Sequence, residues 1–169
     1  NEGKLNPLSI DTDGDNLTDY EELRFYHTDA HITDCDNDGL SDYDEIIIFT
    51  TDPFDNDTDN DGLSDYQEIK GIHGYITDPL DSDSDGDGLI DGEEIALNTN
   101  PLSNDTDKDG LTDLKEIRIG TNATNNDTDS DGLSDGEEVY GVNITNIGIR
   151  YLDPLTNDTD GDNLTDYEE

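Results

Sequence analysis

Methionine and tryptophan are absent, cysteine occurs once, and only 7 of the 169 residues are Lys or Arg. Each shortage excludes something. Hydrophobic residues make up 28% of the chain and aromatic residues 7%. So little apolar surface cannot offset chain entropy over this length, and the composition alone would read as disordered. The longest candidate apolar run, Ile46-Ile47-Ile48-Phe49, falls far short of the ~18 residues of a membrane-spanning helix. The lone thiol, Cys35, supports no intrachain disulfide framework. Seven cations against 47 acids leave a formal charge of −40, which argues against nucleic acid and anionic membranes as partners. With no initiator Met and no charged-then-apolar leader, the chain reads as a mature or excerpted segment.

The acids are not spread evenly. Asp105 to Glu116 reads D-T-D-K-D-G-L-T-D-L-K-E, with carboxylates at loop positions 1, 3, 5, 9 and 12 and glycine at 6. This is the spacing of a 12-residue calcium loop. One backbone turn aims several hard oxygens inward, the carbonyl of position 7 adds a ligand, and the last Glu binds with both oxygens. Seven such loops occur, at 11–22, 34–45, 57–68, 83–94, 105–116, 127–138 and 158–169. The expected metal ligands are Asp11, Asp13, Asp15, Asp19 and Glu22; Asp34, Asp36, Asp38, Asp42 and Glu45; Asp57, Asp59, Asp61, Asp65 and Glu68. They continue as Asp83, Asp85, Asp87, Asp91 and Glu94; Asp105, Asp107, Asp109, Asp113 and Glu116; Asp127, Asp129, Asp131, Asp135 and Glu138; Asp158, Asp160, Asp162, Asp166 and Glu169. Position 6 is Gly in five loops and Asn (Asn16, Asn163) in two. Asn enters the left-handed region more readily than other non-glycine residues, so it meets the same backbone demand.

These ligands are 35 of the 47 acids, so the charge is mostly ligand. Seven calcium ions, +14, would reduce −40 to −26, and fourteen, +28, would reduce it to −12. The expectation is therefore at least one ion per loop. A second ion per loop is a further hypothesis, served by spare carboxylates such as Asp29, Asp52, Asp78 and Asp153, because repulsion opposes compaction.

Loop starts are separated by 23, 23, 26, 22, 22 and 31 residues, the mark of a repeat array. Leu holds position 7 throughout, and an apolar residue follows position 12 (Leu23, Ile46, Ile69, Ile95, Ile117, Val139). Turns such as Thr51-Asp52-Pro53-Phe54, Thr77-Asp78-Pro79-Leu80 and Thr99-Asn100-Pro101-Leu102 precede the next loop. About three buried-looking apolar groups per unit, at ~1.5–3 kcal/mol each, cannot fix some twenty residues at ~1–2 kcal/mol apiece. Metal must supply the difference, so binding and folding are expected to be one process.

Ser or Thr at position 8 caps a short helix of one to two turns, with capping-box spacing at Thr18/Glu21, Ser64/Gln67, Ser134/Glu137 and Thr165/Glu168. Two insertions interrupt the period: Gly71 to Ile76, and Gly141 to Leu152, whose alternation suggests a small β-hairpin. Cys35 stands where other loops carry Thr or Ser, a tolerated substitution; His27, His31 and His73 share no spacing. Eight Asn-x-Thr sequons, at Asn16, Asn56, Asn104, Asn122, Asn126, Asn143, Asn157 and Asn163, are either by-products of the repeat or N-glycan sites.

The fold class expected from these features is a calcium-stabilised repeat array. It is an elongated, solenoid-like rod of coil and turns, with one short helix per repeat and minimal apolar core, and 1–169 forms one tandem array. Repeated D-x-D-x-D-G-L-[ST]-D-x-x-E, followed by an apolar residue and a T-[DN]-P-L-like turn, resembles the thrombospondin type 3 repeat, in the cysteine-poor form of bacterial and archaeal surface proteins. The resemblance covers essentially the whole chain. It implies a calcium-filled wire or stalk in larger surface or matrix proteins, with the acids above as calcium ligands. Paired cysteines of animal members have no counterpart here. EF-hands and dockerins fit worse, because Pro and polar residues precede the loops and the apolar residue sits at position 7, not 8.

The function expected is an extracellular structural protein, a rigid stalk or the body of a surface filament, since weak repeated sites stay filled where calcium is millimolar. Leu152 to Glu169 nearly repeats Leu5 to Glu22, which favours a longer array, with flanking repeats or copies of the chain as partners. The alternative is a calcium-dependent adhesin binding protein or glycan through the insertions and Tyr20, Tyr43, Tyr66 and Tyr167. An enzyme is not expected: no nucleophile–base pair stands out.

Overall fold

The computed structural model describes residues 8–144 and 148–168. Glu169, one of the expected ligands, and Thr145, the hydroxyl partner of the Asn143 sequon, lie outside them. The chain divides into two compact units, Asn1–Ser82 and Asp83–Glu169.

In the first unit, helix α1 (Asp19–Glu21) runs directly into a π-helical turn (Glu22–Tyr26). A second π-helical turn covers Asp44–Phe49, and α2 covers Asp65–Lys70. The second unit holds α3 (Asp91–Leu97), α4 (Asp113–Ile119), α5 (Asp135–Tyr140) and a two-stranded antiparallel hairpin, β1 (Val142–Ile144) and β2 (Gly148–Arg150). Its register pairs Val142 with Arg150 and Asn143 with Ile149, in keeping with the alternation of this insertion.

Each helix starts at loop position 9, inside the loop and one residue after its cap. Thr18, Ser64 and Ser134 form capping boxes with Glu21, Gln67 and Glu137. At Thr165 the backbone N–H donates to Glu168 Oε2 at 3.2 Å, and the chain makes a turn there. The two π-helical turns have a plain cause. Six residues separate Glu22 from Thr28 and Glu45 from Thr51, against five from Glu94 to Thr99 and Glu116 to Thr121. The wider turn absorbs the extra residue and ends on a left-handed residue, His27 or Thr50.

The apolar core is thin. Leu17, Leu40, Leu63, Leu89 and Leu111 at position 7 are buried, and so are the turn residues Ala30, Pro53, Pro79, Pro101, Ala123 and Pro154. The residue after position 12, expected inside, is not: Leu23 is 57% exposed, Ile117 40%, and the other four half-buried. The inward side of each helix is taken by carboxylates. Asp42, Glu45, Asp65, Asp91, Glu94, Asp113, Glu116, Asp135 and Glu138 are all fully buried. What fills the interior is mostly acid.

Candidate metal centres

Every loop is wired the same way. The position 1 carboxylate accepts through Oδ2 from the N–H of position 6, at 2.9–3.3 Å from Asn16 to Asn163. In six loops its Oδ1 accepts from position 4, as at Gly14, Asn37, Gly86, Lys108, Ser130 and Gly161. Position 4 is therefore left-handed as well as position 6, even where it is Lys108 (φ 68°) or Ser130 (φ 66°). The loop spacing predicts that demand at position 6 alone. Position 5 accepts through Oδ1 from the N–H of position 7. Carboxylate oxygens of Asp11, Asp13 and Asp15 come within 4.8 Å of one another, and the same holds for Asp34/Asp36/Asp38, Asp57/Asp59/Asp61 and Asp83/Asp85/Asp87.

Position 9 is held by position 2, which looks variable in the sequence. Asp19 Oδ1 accepts from Thr12 N at 2.7 Å and Oδ2 from its hydroxyl at 2.8 Å. Thr58, Ser84, Thr106, Thr128 and Thr159 repeat both bonds on Asp65, Asp91, Asp113, Asp135 and Asp166. Cys35 does the same with its thiol, Sγ lying 3.0 Å from Asp42 Oδ2. Burial, then the Asp42 carboxylate, pushes that thiol up to about 12. A neutral thiol is a poor nucleophile. Cys35 should thus react slowly with a thiol reagent in the folded chain and fast once the loop opens. Cys35→Thr should match or slightly exceed the wild-type midpoint of thermal unfolding; a clear loss would contradict the hydroxyl-substitute role.

Position 12 shows the strongest electrostatic signature. Burial pushes Glu22 up to about 7, Glu68, Glu94, Glu116 and Glu138 to about 8, and Glu45 to about 9. Nearby carboxylates add to the effect, Asp36 and Asp38 for Glu45, and Asp107 and Asp109 for Glu116. One Glu oxygen is steadied by the Thr that opens the next turn. Thr28 donates to Glu22 Oε1 at 3.3 Å, Thr77 to Glu68 at 3.0 Å, Thr99 to Glu94 at 3.3 Å and Thr121 to Glu116 at 3.2 Å. These threonines recur in the turn motif, a visible signal whose role the sequence alone did not disclose. Thr99→Val should cost roughly 1 kcal/mol, a few-fold in cation affinity of that repeat, measurable by calorimetric titration.

Neighbouring repeats within each unit are joined at these sites. Asp15 Oδ2 accepts from Tyr43 N (3.2 Å) and Asp38 Oδ2 from Tyr66 N (2.7 Å) in the first unit. In the second, Asp87 accepts from Leu114 (2.8 Å), Asp109 from Gly136 (2.6 Å) and Asp131 from Tyr167 (3.2 Å). The position 9 carboxylate beside each donor adds repulsion on the preceding Glu: Asp42 on Glu22, Asp65 on Glu45, Asp113 on Glu94, Asp135 on Glu116 and Asp166 on Glu138. By contrast Asp29, Asp52, Asp78 and Asp153 are exposed and hold turns, accepting from the N–H two residues on.

Whether a cation fits can be tested on the buried oxygens. Asp13, Asp36, Asp59, Asp85, Asp107 and Asp129 at position 3 each keep Oδ2 buried without a hydrogen-bond partner. So do Oε2 of Glu22, Glu45, Glu68, Glu94, Glu116 and Glu138, with Oε1 too in Glu45 and Glu138. Buried, unpaired, like-charged oxygens are among the costliest arrangements in a protein unless a cation joins them. The donors are all hard oxygen, which suits calcium over softer metals. Among the described residues no helix is long and apolar enough to cross a membrane.

Comparison with curated proteins gives no match. Two solved structures share short stretches. One is described as the BSP domain of a biofilm associated protein, 40% identical over 25% of this chain and 7% of that chain, TM-score 0.25. The other is the B domain of a biofilm associated protein, 38% identical over 27% of this chain and 11% of that chain, TM-score 0.26. The family model described as the bacterial TSP3 repeat matches six times, at residues 11–29, 34–56, 57–71, 83–104, 105–125 and 127–140. These matches follow the loops and cover well over half the length, so the chain belongs to the bacterial TSP3 repeat family.

Proposed function

We propose that the seven loops work as one extracellular array of calcium joints, forming a stiff stalk or the body of a surface filament. The observation that carries the reading is the recurrence, in six loops, of a buried Glu and a half-buried Asp, each with an oxygen that is buried and has no partner. A sensor switches between folded states with and without its ion; a chain whose interior is carboxylate keeps its fold without cations only by taking up protons. The calcium ligands are the carboxylates of positions 1, 3, 5 and 12, with Glu169 completing the last loop. Within each unit, from its second repeat on, the position 9 carboxylate belongs to a second cation site, shared with the position 12 and position 5 carboxylates of the repeat before it. That arrangement is supported by the inter-repeat bonds to Asp15, Asp38, Asp87, Asp109 and Asp131. The partners are flanking repeats of the same kind.

Native mass spectrometry with calcium, followed by electron microscopy with and without a chelator, tests both levels. The expected result is more ions than loops, and stiff rods that slacken on chelation. Rods indifferent to chelator would overturn the function. A count of seven would remove the second site and leave the first.

A further inference from the structure

The eight sequons are not equivalent. Four of them, at Asn56, Asn104, Asn126 and Asn157, are N-D-T and arise from the repeat itself. In each, the Thr hydroxyl is already spent: Thr58, Thr106, Thr128 and Thr159 donate to the position 9 carboxylate at 2.6–2.7 Å. The same oxygens accept from the N–H of Asp52, Asn100, Asn122 and Asp153. Asn16 sits at position 6 of a loop, and its Thr18 hydroxyl bonds Glu21 Oε2 at 2.7 Å. Asn163 likewise occupies position 6, with Leu164 and a half-buried Thr165 behind it.

Asn122 differs in origin and in geometry. Six turns open in parallel: Asp29-Ala30-His31, Asp52-Pro53-Phe54, Asp78-Pro79-Leu80, Asn100-Pro101-Leu102, Asn122-Ala123-Thr124 and Asp153-Pro154-Leu155. Only the fifth combines Asn, a residue other than Pro, and Thr, so this sequon departs from the repeat rather than following it. Both Asn122 and Thr124 are exposed. The Thr124 hydroxyl donates to Asn122 Oδ1 at 2.9 Å, and Thr124 N to the same oxygen at 3.2 Å. The backbone part of this turn is common to the other five; the hydroxyl on the carboxamide is not. Nδ2 of Asn122 makes no hydrogen bond within the described residues.

We propose that, among the sequons lying wholly within the described residues, Asn122 is the N-glycan acceptor of the folded chain, taking an oligosaccharide from a lipid-pyrophosphate donor. Nδ2 attacks the anomeric carbon, and the bond from that carbon to the lipid pyrophosphate breaks. The pyrophosphate leaves with the electron pair, and one amide proton passes to the transferase base. The hydroxyl on Oδ1 polarises the carboxamide and orders the sequon in a turn that an enzyme can enter from solvent. The N-D-T sequons become acceptors only when their loops open, because their hydroxyls and their central aspartates belong to the metal centres. That selectivity rests on the calcium reading above.

The test uses the full chain, a purified single-subunit oligosaccharyltransferase and a lipid-linked oligosaccharide, with glycopeptide mapping of each sequon in calcium and in chelator. In calcium, Asn122 should be modified about tenfold or more above each N-D-T site, since those sites require local opening. Asn122→Gln and Thr124→Val should each remove the main product while leaving the calcium-dependent circular dichroism unchanged. Chelation should bring the N-D-T sites up towards Asn122. An unmodified Asn122 in calcium, or equal modification of all sites while circular dichroism reports a folded chain, overturns the proposal. If calcium does not alter the circular dichroism at all, the calcium reading is what fails.

Discussion

Chelating calcium at about pH 8 should abolish the helical signal of this chain in far-ultraviolet circular dichroism, and acid should bring part of it back. Six position 12 glutamates are buried with unpartnered oxygens. At about 3 kcal/mol for each uncompensated buried charge, six exceed the roughly 5–15 kcal/mol that holds a domain together. The chain has two ways out. It unfolds, or the glutamates take up protons. Without a cation, burial holds these carboxyls protonated up to about pH 7 at Glu22, about 8 at Glu68, Glu94, Glu116 and Glu138, and about 9 at Glu45. In the unfolded chain they ionise near 4.5. Between those limits the ion-free fold holds more protons than the unfolded chain, so its stability falls as pH rises and is recovered as pH falls. Helical signal should therefore return in chelator on acidification to about pH 5. A signal unchanged by chelator at pH 8 would show that the carboxylate interior is tolerated without cations.

Gly136→Ala should destabilise the second unit although alanine is the better helix former. Gly136 is the second residue of α5, where exchange of Gly for Ala in an open helix gains up to about 1 kcal/mol. Here an added Cβ meets the carbonyl oxygen of Asp109 at 2.1 Å and its carbon at 2.9 Å. Backbone cannot swing aside as a side chain can. The same glycine donates its N–H to Asp109 Oδ2 at 2.6 Å, so relief of the clash must lengthen that bond and move a candidate metal ligand. The expected loss is about 2–3 kcal/mol in chemical denaturation at fixed calcium, together with weaker calcium uptake by the loops starting at Asp105 and Asp127. Leu114→Ala is the control. It occupies the same position one repeat earlier, already carries a Cβ, and bonds Asp87 at 2.8 Å. An alanine at 136 that matched or exceeded wild type would mean the two repeats part without cost.

The loops, the caps and the hairpin are legible in the sequence because each is a local pattern. Carboxylate spacing, a Ser or Thr before the helix, and alternation within an insertion act over a dozen residues or fewer. The residues after position 12 mislead for the same reason. Leu23 and Ile117 look like core in a one-dimensional pattern, yet the inward side of each helix belongs to Asp and Glu. Position 2 reads as variable in the sequence because its partner is seven residues away; Thr, Ser and Cys there all donate to the position 9 carboxylate.

By itself the sequence determined that the chain folds as seven acidic loops on a near-regular period, with too little apolar surface to hold them. Those are properties of composition and spacing. Only the tertiary structure decided how the loops are joined. Asp15 meets Tyr43, Asp38 meets Tyr66 and Asp109 meets Gly136 across 27 or 28 residues, and such a meeting depends on how many residues each turn absorbs. It decided too which carboxylates lose water and which sequon hydroxyls are tied to position 9 carboxylates, as at Thr58, Thr106, Thr128 and Thr159, since both follow from packing, and packing belongs to the folded chain.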